Sequence, residues 1–267
     1  MAKQTGLVRY SGTMGGVRHF KIKGLIGDYA GLIGGPSAEQ VATDAAFIRT
    51  RENNMEFGGC AKAAKAVRVG LSALMKQMSD PQFTGRLTAI MKQINLQDTA
   101  NARGERAVAI SANQTYLEGL DYNRNINFGS VFNAPFTLTN TVARDSATFT
   151  IPSFLPANLI NAPAGATHFR LLNAINVVSD YKFNGTTGDY QPTDAVTNEI
   201  SAIQYSAYLD LSSATALTTI TTTLPGSPTV GSDVSVMNNI GIEFYQAVGS
   251  NYYLFASGNS MKAQDVF

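Results

Sequence analysis

The chain predicts an α+β protein: an N-terminal β-hairpin plus a helical hairpin, followed by an antiparallel, immunoglobulin-like (Ig-like) β-sandwich. Three observations carry this. Residues 41–110 are rich in Ala, Lys, Arg, Met and Leu, which favour helices. Residues 130–267 are rich in Thr, Val, Ile, Phe, Tyr, Asn and Gly, the mixture of strands and turns. That second half also divides into about seven short β-prone runs, the pattern of a sandwich. The composition changes around residues 110–130 with no Pro/Ser-rich linker, so the expected domains are 1–120 and 121–267.

The elements follow in order. Residues 5–11 and 17–23 are each strand-length, and Gly12 to Gly16 supply the turn between them. In the second run Arg18, Phe20 and Ile22 alternate with Val17, His19, Lys21 and Lys23. Val8 and Tyr10 are the expected partners of Phe20 and Ile22 across the hairpin. As an edge strand, 17–23 could extend a neighbour's sheet. GLIGDYAGLIGG (24–35) reads as a second extended segment and a loop ending at Pro36. Ser37, or Thr43 in front of Asp44, can cap a short helix.

A longer helix is expected over 51–78, where Ala61, Ala64, Val67, Leu71, Leu74 and Met78 form one stripe at spacings of three and four. Gly58, Gly59 and the alanines predict the close approach of another backbone. Ser79-Asp80-Pro81 stops this helix. Phe83, Leu87, Ile90, Met91 and Ile94 mark a second one over 81–95, completing an αα-hairpin. Strands are expected at 131–141, 146–151, 167–178, 201–211, 216–224, 238–248 and 250–256, with Ser153 to Gly165 a crossover loop and Gly249-Ser250-Asn251 a tight turn.

Chemistry is sparse. Cys60 is the only cysteine, and the only histidines are His19 and His168, neither near it in sequence. Cys60 therefore reads as a buried structural thiol. No phosphate loop, nucleophile elbow, zinc-protease or calcium-loop pattern occurs. No catalytic, cofactor-binding or metal-binding residue is assigned, and no cofactor is expected. Residues 1–40 hold no apolar run of the roughly 7–15 residues a secretory signal needs, and no window approaches a membrane span. Synthesis in the cytoplasm without a signal peptide is expected, with any release as an assembled particle.

Charge is divided. Residues 1–116 hold fifteen basic and eight acidic side chains, a net of +7, and the remainder holds five and eleven, a net of −6. The basic half of one copy can then meet the acidic half of the next in a heterologous, polymerising contact. Charged residues make up only 15%, below the usual quarter, which suits a surface covered by copies of itself. The expected function is a non-enzymatic structural protein that self-assembles into a filament, tube or phage-like particle. Its candidate assembly contacts are Val17, Arg18, Phe20, Ile22, Lys62, Lys65 and Arg68. Two alternatives stay open. The basic half can bind nucleic acid, although no aromatic residues interleave with Lys62, Lys65 and Arg68 to stack on bases. A surface- or carbohydrate-binding module would use Tyr245, Tyr252 and Tyr253.

The opening hairpin VRYSGTMGGVRHFKIKG (8–24), the stretch RTRENNMEFGGCAKAAKAVR (49–68) and IPSFLPANLINAPAGATHF (151–169) together resemble a group of short proteins from Bacteroidota-type bacteria. Those proteins share a basic glycine-rich hairpin, an RTREN-EFG-like helix start and a β-rich second half. The resemblance runs through most of the chain. It implies architecture, and it carries over no catalytic residues.

Overall fold

The computed structural model describes residues 1–267. The fold is mixed α+β, with six α-helices and antiparallel sheets. The chain divides into two compact units, Met1–Arg51 and Glu52–Phe267.

In the first unit β1 (Ala2–Gln4), β2 (Gly12–Met14), β3 (Val17–Lys21) and β4 (Asp28–Leu32) form an antiparallel sheet of order β1-β4-β3-β2. Met14 pairs with Val17, so the hairpin turn is the two residues Gly15 and Gly16, at φ 55° and 80°. Both positions need positive φ, which glycine adopts without steric cost. This turn is tighter than the expected one over Gly12–Gly16, and it fixes the register. Strand β2 therefore starts at Gly12, and residues 5–11 form no strand. Phe20 lies opposite Tyr29 rather than Val8 or Tyr10, and the Tyr10 ring rests 5.7 Å from His19. Helix α1 (Ala38–Thr43) starts with a capping box: the Gln40 N–H donates to Ser37 Oγ at 3.1 Å and the Ser37 N–H to Gln40 Oε1 at 2.7 Å. Ser37 is thus the cap that the sequence indicated. Asp44 caps a following 3-10 turn, Ala45–Phe47, by accepting from the Ala46 N–H.

The helical hairpin is made of α2 (Ile48–Gly70), α3 (Ser72–Met78) and α4 (Phe83–Asn95). The single helix expected over 51–78 is two, because Leu71 leaves helical geometry at φ −107° and ψ 21°. The break follows a tight fit: a Cβ on Gly70 would stand 3.2 Å from the Asn176 side chain and 3.4 Å from the Glu199 carbonyl oxygen. Gly59 answers a close approach too, but from a side chain rather than a backbone. The Tyr190 ring lies flat on it, 2.5 Å from where a Cβ would be.

Beyond the helices run β5 (Leu120–Asp121), α5 (Phe128–Val131), β6 (Thr137–Asn140), β7 (Ser146–Ile151), α6 (Pro156–Leu159), β8 (His168–Ser179), β9 (Tyr181–Asn184), β10 (Asp189–Pro192), β11 (Ser201–Tyr205), β12 (Leu209–Asp210), β13 (Thr218–Thr223), β14 (Val234–Val248), β15 (Asn251–Leu254) and β16 (Ser260–Val266). A large sheet has the order β11-β8-β14-β16-β5, with β12 on β8 and β15 on β14. A smaller sheet has the order β13-β7-β6, and β9 and β10 form a separate hairpin.

The large sheet is covered on both faces. Val67, Leu87 and Met91 of the helices share one apolar cluster with Leu172 and Val178 of β8, Met237 of β14 and Met261 of β16. On the other face Phe149 and Ile151 of β7 and Ile220 of β13 pack with Phe169, Leu171, Ile240, Ile242 and Phe244. Strands β8 and β14 are accordingly long and buried over most of their length, with polar side chains such as Asn173, Asn176, Asn239 and Glu243 among the apolar ones. The helices thus share a core with the C-terminal strands. This is why the chain divides at Arg51 and Glu52, well before the boundary expected at residue 120. Strand β7 matches its expected range, and Gly249, at φ 62°, forms the expected tight turn with Ser250 between β14 and β15. Strands β5, β9, β10 and β16 lie outside the expected set. No helix is long and apolar enough to cross a membrane.

Candidate assembly surface and a charged cleft

The seven candidate contacts fall in two places. Val17, Arg18, Phe20 and Ile22 lie on or just after β3, and Lys62, Lys65 and Arg68 lie on α2.

Strand β3 is interior to its sheet, between β4 and β2, so it is not the expected edge. The edges are β1 and β2. Arg18 and Phe20 do share a face, with the Arg18 guanidinium 5.2 Å from the Phe20 ring centre. The opposite face carries an apolar row across three strands, in which Met14 pairs with Val17 and Val17 with Leu32. Met1, Ala2, Val17, Ala30, Gly31 and Leu32 line a shallow groove of about 300 Å³ there.

The only buried residue in this whole unit is a charged one. Asp28 accepts from Arg9 Nη1 at 3.2 Å and has Lys21 Nζ at 3.9 Å. No apolar side chain of residues 1–51 is buried. Leu7 is fully exposed, Ile26 is 92% exposed and Leu32 is 79% exposed. Folded sheets of three or more strands normally need an apolar face packed on something. Ordering each residue costs on the order of 1–2 kcal/mol, and here only partly buried side chains such as Val17, Phe20 and Tyr29 offset it.

On α2 the basic residues are not one free stripe. Lys62 forms an ion pair with Asp189 of β10 and donates to the Tyr190 carbonyl oxygen at 3.2 Å. Its charge is spoken for, which weakens the case for a phosphate-binding ridge. Lys65 is exposed, and Arg68 is half-buried with its Nε lacking a hydrogen-bond partner. Lys62 and Lys65 line a cleft of about 360 Å³ together with Tyr181, Tyr190, Pro192, Asn198 and Glu199.

Sequence reasoning missed the densest polar centre of the chain. Glu56 on α2 is fully buried. Arg106 donates to it through Nε at 2.7 Å and Nη2 at 2.8 Å, the Gly104 N–H donates at 2.8 Å, and Lys92 completes the set. Burial alone would raise the pKa of this carboxyl, but Arg106, Lys92 and the Gly104 N–H together hold it at about 2. Its phase was the available signal: Glu56 falls in register with buried Cys60, Ala63 and Val67 on the helix. Cys60 is buried as expected, and burial pushes its thiol up to about 11, away from nucleophilic chemistry. The three tyrosines of the carbohydrate alternative do not form one platform. Tyr245 is buried with its hydroxyl donating to Glu243 at 2.6 Å, and Tyr252 is stacked on Tyr208 with ring centres 3.9 Å apart. No group of three or more His, Cys, Asp or Glu side chains is placed to hold a metal ion. Compared with known proteins, the chain matches no family model and no curated relative.

Proposed function

We propose that this chain is a non-enzymatic structural subunit that self-assembles into a filament, tube or phage-like particle. Its contact element is the Met1–Arg51 unit, and the partner of that element is a second copy of the chain. One observation carries the reading: a regular four-stranded sheet in which no apolar side chain is buried. Its exposed apolar row and its open edges, β1 and β2, would be covered in an assembly.

Charge supports a second copy as the occupant. Residues 1–51 hold seven basic and three acidic side chains, a net of +4, and residues 52–267 hold thirteen and sixteen, a net of −3. A contact between unlike surfaces of this kind is heterologous, and such contacts propagate into rings or filaments. The same reading takes the two facing antiparallel layers of residues 121–267 as an Ig-like sandwich that forms the rigid body of each subunit. Arg68 then faces a neighbour rather than nucleic acid.

Deleting residues 1–47 is the test. All three apolar clusters lie in residues 52–267, so the remainder is expected to stay folded, with a cooperative thermal transition. It is expected to sediment as a monomer where the full chain forms large particles. Particles of full size from the shortened chain would refute the proposal.

A further inference from the structure

The geometry points to a binding site for a small zwitterion, an α-amino acid with an aliphatic body, in the cleft between α2, the β9–β10 hairpin and the loop before β11. This goes beyond the structural role and does not depend on it, because every lining residue lies in Glu52–Phe267.

The cleft holds about 360 Å³, near the small end of the range for small-molecule sites. Its two walls carry opposite charges that nothing in the chain neutralises. On α2, Lys62 is held by Asp189 and the Tyr190 carbonyl, whereas Lys65, one turn on, has no hydrogen bond or ion pair. On the facing loop the Glu199 side chain likewise has none, and no ion pair joins it to Lys65.

The position of Glu199 is nonetheless fixed. Its N–H donates to the Val177 carbonyl at 3.0 Å. Its neighbour Asn198 is clamped, accepting from the Ser179 N–H at 3.0 Å and donating to the Tyr181 hydroxyl at 2.9 Å. The backbone of Glu199 is left-handed, at φ 72°, a conformation that costs energy for any residue but glycine. Strained backbone of this kind clusters at ligand sites, and here it holds an acidic residue at the rim of a cleft. Tyr181, Tyr190, Pro192 and Ala195 supply apolar wall in the same cleft. A ligand carboxylate would meet the Lys65 ammonium, its α-ammonium would meet the Glu199 carboxylate, and the aliphatic side chain would lie to one side against the apolar wall.

Equilibrium dialysis of the full chain against radiolabelled L-leucine tests the site and reads binding whatever the state of assembly. The expected result is saturable binding, weakened at least tenfold when either ligand charge is removed, as in N-acetyl-L-leucine or L-leucinamide. Lys65→Gln and Glu199→Gln are each expected to weaken leucine binding at least tenfold. Glu199→Gly, which fits the left-handed backbone without strain, should behave like Glu199→Gln and so separate loss of the carboxylate from loss of the loop. Three results would each overturn the inference: no saturable leucine binding, equal binding of the charge-blocked ligands, or undiminished binding by the Lys65 and Glu199 variants.

Discussion

Glu56→Gln is expected to destabilise the Glu52–Phe267 unit by about 3–5 kcal/mol, the cost of stripping one partner from a buried charge cluster. Gln keeps the shape of the side chain but removes the charge that Arg106 and Lys92 surround. For a unit of this size the loss corresponds to a fall in Tm of about 10 °C, read by calorimetry at neutral pH. The pH dependence gives a second signature. The folded-state pKa of Glu56 is about 2 against an ordinary value of 4.5, so its contribution is fully present above about pH 4.5 and is lost as pH falls toward 2. That linkage is worth roughly 3 kcal/mol. The parent and Glu56→Gln curves should therefore converge in acid. Asp98, also held at about 2 despite burial, accepts from the Asn101 side chain and the Ala107 and Ala100 N–H groups. It titrates in the same window and keeps some acid sensitivity in the variant. A Tm within about 2 °C of the parent at neutral pH would show that the cluster contributes little net stability.

Replacing Met14 and Leu32 together by Lys is expected to dissolve the assembly while leaving the subunit folded. Both side chains are exposed, and both flank Val17 in the same cross-strand row. Exposed substitutions away from a core usually shift stability by less than about 0.5 kcal/mol. At an interface the same positions would carry two ammonium groups into an apolar contact, where they must be desolvated. Loss of well-packed apolar anchors costs about 1–2 kcal/mol each, so each subunit contact should weaken by about 30–1,000-fold. Sedimentation velocity reads the change, and near-unchanged far-UV circular dichroism shows that the fold is retained. Undiminished particles would mean that this face of the sheet lies outside the contact.

Sequence periodicity revealed the parts of the fold that rest on a single repeating environment. The stripe through Val67, Leu71, Leu74 and Met78 is buried throughout, and the alternating run Ser146–Ile151 is a strand with one face toward the core. It failed where the environment is set by a distant partner. The break at Leu71 falls where Asn176 and Glu199, more than a hundred residues away in sequence, approach Gly70 closely. Strands β9 and β10 form a small hairpin whose Tyr190 packs on Gly59, and nothing local announces that contact. The Gly-Gly turn was legible, but its two-residue length shifts the register, and the pairing of β4 along the other side places β3 inside the sheet. Among the candidate contacts, Val17 sits on the exposed apolar row, while Lys62 is neutralised by an aspartate from another part of the chain. Charge counting along the sequence cannot see such pairing.

Self-assembly itself is tested most directly by sedimentation velocity and negative-stain microscopy of the purified full chain at about 50 mM and about 1 M salt, where charge contacts between surfaces are respectively strong and screened. The expected result is a regular particle or filament far larger than the 28.5 kDa subunit at low salt, smaller or less abundant at high salt. A monodisperse 28.5 kDa monomer at both salt concentrations would contradict it.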